Sequence, residues 1–476
     1  MAKDKTKNSA IVKARLSFFG ATGTVTGSRF FLELRKHNFL IDCGLFQGSK
    51  QNRLRNWEPF PVSPQGIDNV LLTHAHIDHS GYLPRFCNEG FNGKILCTKA
   101  TARLCEIMLK DSAHLQEEDA HWANKKGFSR HKPALPLYTV RDAEQAMTHF
   151  EPVQYGEGIY FENDLRVKFK DAGHILGSTF LDIKLGDSKR SRKIVFSGDL
   201  GRPSGEYLRD PVQPFNVDYL VIESTYGDRL HANSDPKEDL ARVIKESVHR
   251  GGVLIIPSFA VGRTQTLLFI IRELEEEGRI EPLPIYVDSP MAIGVTKIFK
   301  DRISDQNISS RVLQLEGKQI FQPQKLHICE DRDQSIAINK IEKGAIIISA
   351  SGMATGGRIL YHLANRLPYK NNTVLFIGYQ AEGTRGRTIL EGHPNVKIHG
   401  QTVPINAHVE SISGLSAHAD YNEILAWLLG FNKPPLKTFI IHGEKQASAA
   451  LADKIQNQLG WDVVIPEFGE SFELEF

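Results

Sequence analysis

The stretch Thr73-His74-Ala75-His76-Ile77-Asp78-His79-Ser80-Gly81 packs three imidazoles and a carboxylate into six residues, directly after the apolar run Val70-Leu71-Leu72. Alternate residues of a strand share a face, so His74 and His76 are delivered to one side. Asp78 and His79 lie one turn further on and address a second point in space. That layout suits two neighbouring metal ions better than one.

Outward from this stretch the same device recurs, an apolar strand ending in a metal-capable side chain. Lys168-Phe169-Lys170-Asp171-Ala172-Gly173 leads to His174, Ile194-Val195-Phe196-Ser197-Gly198 to Asp199, and Phe439-Ile440-Ile441 to His442. The glycines beside His174 and Asp199 let backbone crowd in close, as a compact site requires. A lone histidine at a strand end is usually a satisfied core or surface residue; the joint occurrence points to metal. His74, His76 and His174 are expected to hold one ion, and Asp78, His79 and His442 the other. Asp199 is expected to bridge them, with a water or hydroxide as the second bridge. An imidazole-rich shell with carboxylates favours two Zn²⁺ over Mg²⁺, with Mn²⁺ as the alternative. Paired metals about 3.5–4 Å apart lower the pKa of a bridging water and clamp phosphoryl oxygens.

The bulk of the chain sets the frame. At 476 residues it is too long for one ordinary core and suggests two to three domains. Hydrophobic residues at 41% and charged residues at 24% are the balance of a soluble globular protein. A net charge of +2 excludes a global basic field, so any bound polyanion must meet local charge in a groove. Five cysteines without CxxC spacing argue against a thiolate zinc site and for free thiols in a reducing compartment. The polar N-terminus lacks the apolar core of a signal peptide, and no segment has the apolar length to span a bilayer. Cytoplasmic residence, with no membrane partner, is expected.

Three textures follow one another along the chain. Residues from Ala14 to Asp42 alternate like a hairpin. The glycine-rich Gly20–Gly27 is a tight turn near the site, not a dinucleotide loop, because a strand and no helix follows it. A helix-rich stretch from Thr98 to Phe150 carries His114, His121, His131 and His149, which lack ligand spacing and read as solvated or locally paired. From Asp228 continuous apolar runs such as Val253–Pro257, Ala345–Ile348 and Val374–Ile377 alternate with helices, the pattern of a fully buried parallel sheet. This is the texture of an inserted α/β domain, and near Val409 the first texture resumes. The expected division is 1–227, an insert at 228–408, and 409–476.

Asp42, His74-Ala75-His76-Ile77-Asp78-His79, His174 and Asp199 match, in order, the motifs of the metallo-β-lactamase superfamily. Glu223 in Ile222–Gly227, His418 in Ser416–Asp420 and His442 in Ile441–Glu444 resemble motifs A, B and C of the β-CASP nucleases. The resemblance covers nearly the whole chain after the first dozen residues. It implies an αββα sandwich interrupted by an α/β parallel-sheet β-CASP domain. It also implies that Asp42 organises the ligand loop without binding metal, and that Asp78 and Asp199 belong to the catalytic set. Histidine at motif C resembles the RNA-acting members, whereas DNA-acting relatives carry an apolar residue there.

Two metals and a bridging hydroxide announce hydrolysis of an ester, amide or phosphodiester. A histidine beside a carboxylate has its protonated form favoured. The resemblance gives His418 the role of general acid on the departing alkoxide, with Glu223 orienting it. The insert is then a lid that narrows the cleft to a single strand. Ser351, Gly352, Gly356, Gly357 and Arg358 follow a buried strand and open a helix, where amides can cradle phosphate. Arg385 and Arg387 follow the next strand. These residues are the expected RNA contacts, with solvated turn chemistry as the plain alternative.

The leading reading is a zinc-dependent ribonuclease on single-stranded RNA, an endonuclease with 5′-exonuclease action left open, leaving 5′-phosphate and 3′-hydroxyl ends. It resembles the bacterial and archaeal relatives of the pre-mRNA 3′-end cleavage endonuclease, and such relatives often form homodimers. Hydrolysis of a small ester or lactam leaves Glu223, His418 and the insert without a purpose. A DNA-acting nuclease conflicts with His442. A dead scaffold subunit conflicts with the filled ligand positions.

Overall fold

The computed structural model describes residues 12–476 apart from 128–130, 187–190, 204–207, 302–306, 310, 311, 313 and 316–318. Two seven-stranded sheets face each other. The first runs Ser471–Glu475, Lys13–Phe18, Phe30–Leu34, His37–Ile41, Asn69–Leu71, Lys94–Thr98, Phe150–Val153. The second runs Val463–Val464, Lys437–Ile441, Tyr219–Glu223, Ser191–Phe196, Thr179–Gly186, Leu165–Asp171, Gly158–Glu162.

Side-chain alternation explains the pairing. Leu165–Asp171 buries Leu165, Val167 and Phe169 while Arg166, Lys168 and Lys170 stay partly exposed, the period-2 pattern of a sheet with one wet face. Those apolar residues meet Phe18, Phe30, Leu32 and Ile41 of the first sheet, with Leu181, Phe196 and Phe439, in one inter-sheet core. Burying each such side chain contributes roughly 1.5–3 kcal/mol. Helices close the outer faces. Lys99–Lys126, capped by the Thr98 hydroxyl, belongs to the core outside the first sheet. Tyr421–Leu429 and Lys445–Leu459 place Trp427, Leu428 and Leu451 in the core outside the second. The architecture is therefore the expected αββα sandwich.

The insert has a six-stranded sheet, in the order Leu326–Ile328, Ile285–Val287, Ala345–Ser349, Val253–Pro257, Thr373–Ile377, His408–Ile412, and every pairing is parallel. Its central strands are buried along their whole length, which is why they read as unbroken apolar runs. The return to the first texture comes later than the Val409 expected from sequence. His408–Ile412 is the edge strand of the inserted sheet, in register with Thr373–Ile377. As a half-exposed edge strand it imitates the wet-faced strands of the sandwich. No helix among the described residues is long and apolar enough to cross a membrane.

Candidate active site

The strands converge as the sequence requires. His74, His76, His174 and Asp199 form one cluster of inward-pointing donors, and Asp78, His79 and His442 form a second beside it. In the first, His76 Nδ1 is 3.2 Å from both His74 Nε2 and His174 Nε2. Asp199 Oδ2 is 3.3 Å from His74 Nε2 and 3.5 Å from His174 Nε2. In the second, His442 Nε2 is 3.3 Å from both His79 Nε2 and Asp78 Oδ2. The other oxygen of Asp199, Oδ1, faces this second cluster, 3.1 Å from His79 Nε2. Asp199 thus presents one oxygen to each group.

These spacings fit a metal. Donors about 2.0–2.1 Å from a tetrahedral zinc lie about 3.3 Å from one another, the spacing found here. Burial, reinforced by neighbouring imidazoles, holds His74 and His174 below the ordinary histidine range and His76 down to about 3, so all three are neutral donors. Burial opposes charge on Asp199 as well, yet His442 and His79 hold it well below the carboxylate range. Asp78 is depressed in the same way, burial being outweighed by its hydrogen bond to His442. In the first cluster, neutral imidazoles and an ionised, shielded carboxylate turned toward a common point form a donor set for a divalent cation.

Local backbone shape makes the convergence. His76 caps the short helix Ile77–Ser80, which swings Asp78 and His79 away from His74. Gly198 has φ +54°, and a Cβ there would stand 2.9 Å from Thr73 Cβ; Gly173, at φ +68°, would meet the Arg209 carbonyl at 2.8 Å. Asp42 and His442 are themselves left-handed, at φ +57° and +50°. Such a conformation costs a non-glycine residue about 1 kcal/mol or more and persists only where its surroundings enforce it. For His442 part of the enforcement is its N–H, which donates to the Ala21 carbonyl at 2.7 Å, so the Gly20–Gly27 turn does lie at the site.

Asp42 binds into both clusters from behind. His79 Nδ1 donates to Asp42 Oδ2 at 2.8 Å, and Thr73 Oγ1 donates to the same oxygen at 2.9 Å. Thr73 Oγ1 in turn lies 3.1 Å from His74 Nδ1. One carboxylate therefore sets the tautomer of a histidine in each cluster, leaving Nε2 of both to face inward. Thr225 does the same for His442, with Oγ1 at 3.1 Å from Nδ1. Burial opposes protonation of His79, but Asp199 and Asp42 overcome it and raise its pKa well above the usual range.

Beside the clusters stands a second pair. His418 Nδ1 is 3.1 Å from both carboxylate oxygens of Glu223, and its Nε2 is 3.9 Å from Asp199 Oδ2. Burial opposes charge on His418, and Glu223 and then Asp199 outweigh it, raising its pKa from 6.5 to about 9. Glu223 is held by the Leu200 N–H at 2.6 Å. His418 is held through its backbone: the Ala419 N–H donates to the Leu200 carbonyl at 2.8 Å, and His231 Nε2 donates to the His418 carbonyl at 2.9 Å. Asp420 caps the helix Tyr421–Leu429 and also accepts the His231 N–H.

Sequence reasoning missed Thr73, Ser178, Thr225 and His231. Each lies within a few residues of a motif position, but only the folded chain shows that its hydroxyl or ring meets a residue of the site. Ser178, for example, accepts the His174 N–H at 3.0 Å.

The insert covers the site. Phe259 packs on His76 with ring centroids 6.0 Å apart, and Gly352 sits so close that a Cβ would strike the Phe259 ring at 2.5 Å. The side chains expected to meet RNA also make contacts within the insert. Arg358 pairs with buried Asp288 at 2.8 Å and donates to the Cys329 carbonyl. Arg385 donates to the carbonyls of Lys397 and Thr355, and Arg387 to Glu391 and the Gln380 carbonyl. Ser351 Oγ accepts the Thr355 N–H. The arginines brace the loops around the opening, and Gly356 and Gly357 complete the turn before the helix Ile359–Arg366.

Comparison with known proteins agrees with this geometry. Residues 23–244 match the metallo-beta-lactamase superfamily, 264–389 the Beta-Casp domain, and 402–466 the Zn-dependent metallo-hydrolase RNA specificity domain. The chain is 35% identical over 457 residues to Ribonuclease TTHA0252 of Thermus thermophilus, covering 96% of this chain and 99% of that one. It is 31% identical to the RNase J-like protein of Methanocaldococcus jannaschii, covering 95% and 98%. Transcription termination factor FttA of the same organism is 28% identical, covering 95% of this chain and 70% of its own length. A crystal structure of a protein of unknown function from Enterococcus faecalis V583 shares the fold, with TM-score 0.52 at 12% identity over 97% of this chain and 100% of that one. This chain belongs to the β-CASP group of the metallo-beta-lactamase superfamily.

Proposed function

We propose that the chain is a metal-dependent ribonuclease that hydrolyses phosphodiester bonds in single-stranded RNA. The observation that carries this reading is the Glu223–His418 pair set against the metal-capable clusters. A hydrolase of activated esters or lactams has no need of it, whereas cleaving a phosphodiester requires a proton for a poor leaving group.

His74, His76 and His174 would hold one zinc and Asp78, His79 and His442 the other, with Asp199 shared; manganese is the alternative. When bound, such a pair supplies Lewis-acid stabilisation of a phosphoryl group and an activated water. The chain's own residues do the rest. Asp42, Thr73 and Thr225 keep the imidazoles aimed, so little reorganisation is needed during reaction. Glu223 keeps the proton on His418 Nδ1 and stabilises the imidazolium, leaving Nε2 to protonate the departing 3′-oxygen. Phe259 and the 351–358 loop narrow the opening to an extended strand. The sequence relationship to ribonuclease-named proteins supports RNA as the polymer.

The test combines metal analysis of the purified protein with product mapping on 5′- and 3′-labelled single-stranded RNA. The reading requires bound divalent metal and fragments carrying 5′-phosphate and 3′-hydroxyl ends. Equal cleavage by wild type and His418→Ala would remove the general acid.

A further inference from the structure

A basic face lies on the sandwich well away from this site. Its foundation is strand register. On the outer side of the second sheet, Arg166 stands directly opposite Lys184, and Lys184 directly opposite Lys193. Three cations in one cross-strand row repel one another, an arrangement that sheets ordinarily avoid. Together with Lys433 they line a pocket of about 330 Å³ whose one carboxylate is Asp218.

The acids present do not balance the row. Asp218 accepts from Lys433 at 2.7 Å, and Asp182 is 3.0 Å from Lys193 and 3.4 Å from Lys170. Arg166 and Lys184 have no acidic partner among the described residues. Arg166 Nε is shielded from solvent yet meets no hydrogen-bond acceptor among the described residues. The Arg166 stem is wedged over Gly158, where an added Cβ would stand 2.7 Å from Arg166 Cδ, so the guanidinium is held in place. Burial, with Lys170 and Arg166 nearby, holds Lys193 below the ordinary lysine range even though Asp182 opposes this. A bound anion would relieve all of these features together. Two exposed aromatic rings flank the row. Tyr160 stands opposite Arg166 on the neighbouring strand, and Phe215 belongs to the residue whose carbonyl accepts from Lys193 Nζ. Clustered cations with exposed rings suit a nucleic-acid strand, whose phosphates take the charge and whose bases stack.

We propose that this face is a second RNA-contact surface, binding the phosphodiester backbone of single-stranded RNA outside the catalytic cleft. The proposal rests on the RNA reading above and adds a place and a consequence. Lys193 lies within the strand Ser191–Phe196 and Asp199 three residues beyond its end, which sets the two up to about 20 Å apart. Long RNA reaches both sites and short RNA only the cleft, so the surface acts on KM for long substrates.

The test is the double substitution Arg166→Gln, Lys184→Gln, which breaks no ion pair among the described residues and leaves Asp182 and Asp218 with their lysines. Binding of a long oligouridylate is measured against salt in a His418→Ala background, and cleavage of long and short RNA in the otherwise wild-type chain. Losing two phosphate contacts makes the slope of log K against log salt shallower by about 1.4. KM for long RNA then rises several-fold, while kcat/KM on a short oligonucleotide and the melting temperature hold. An unchanged slope and KM, with wild type cleaving RNA normally, overturns the proposal and leaves the ribonuclease reading standing. Wild type that neither binds nor cleaves RNA overturns both. If the substitutions instead abolish binding to polyglutamate or to phosphatidylserine vesicles and spare RNA, the face serves an acidic protein or a membrane, and the proposal is likewise overturned.

Discussion

Replacing Glu223 by Gln isolates the proton-delivery step. The substitution keeps an oxygen to accept from the Leu200 N–H and from His418 Nδ1, so shape and hydrogen bonding survive while the charge is lost. Glu223 is the largest contributor raising His418 against burial, and the rise from 6.5 to about 9 corresponds to about 3 kcal/mol of preference for the imidazolium. On the proposed role the acid form of His418 is the active one, so activity persists below its pKa and falls as pH rises through it. In Glu223→Gln the pKa drops, and the alkaline fall in kcat must move to lower pH. At neutral pH the loss should lie near 10²- to 10⁴-fold, the usual worth of a general acid. The decisive assay uses two substrates, RNA and a nitrophenyl phosphodiester, whose leaving group needs no proton. Activity on RNA should collapse while the nitrophenyl ester is nearly spared. Equal losses on both, or an unmoved alkaline limb, would refute the assignment of Glu223 and His418 to proton delivery.

Asp199→Asn should lower metal content in both clusters at once, because its two oxygens face different groups; elemental analysis showing two retained ions with full activity would end the shared-ligand assignment. Phe196→Ala, at the centre of the inter-sheet core, should destabilise the sandwich by about 3–5 kcal/mol, read as a shift in denaturant midpoint. Asp171 predicts a pH effect on stability. Burial raises its carboxyl from 3.8 to about 7, so the folded chain binds the extra proton and stability falls as pH climbs from about 4 through 7. Asp171→Asn should therefore gain in melting temperature over wild type at pH 8 and not at pH 5, and a constant difference across that range would contradict the burial argument.

The metal-capable residues were legible in the sequence because each group follows an apolar strand, a pattern that depends on local periodicity alone. The same logic exposed the insert, since a parallel sheet covered on both faces needs unbroken apolar runs. It failed at His408–Ile412 because an edge strand is half wet and resembles the sandwich strands. It did not show that Arg358 and Arg385 also brace the insert, because their partners Asp288 and the Thr355 carbonyl come from other segments.

What the chain determined by itself is chemistry: which donors exist, and that they cluster at strand ends. What only the tertiary structure decided is geometry between distant segments. His79 and His442 meet across 363 positions of sequence, Asp42 reaches a histidine in each cluster, and Asp199 turns one oxygen to each. The row of Arg166, Lys184 and Lys193 exists only through strand register. Periodicity tells a residue which face it occupies; which neighbour it finds there depends on how the strands align, and that is set by the packing of the whole core.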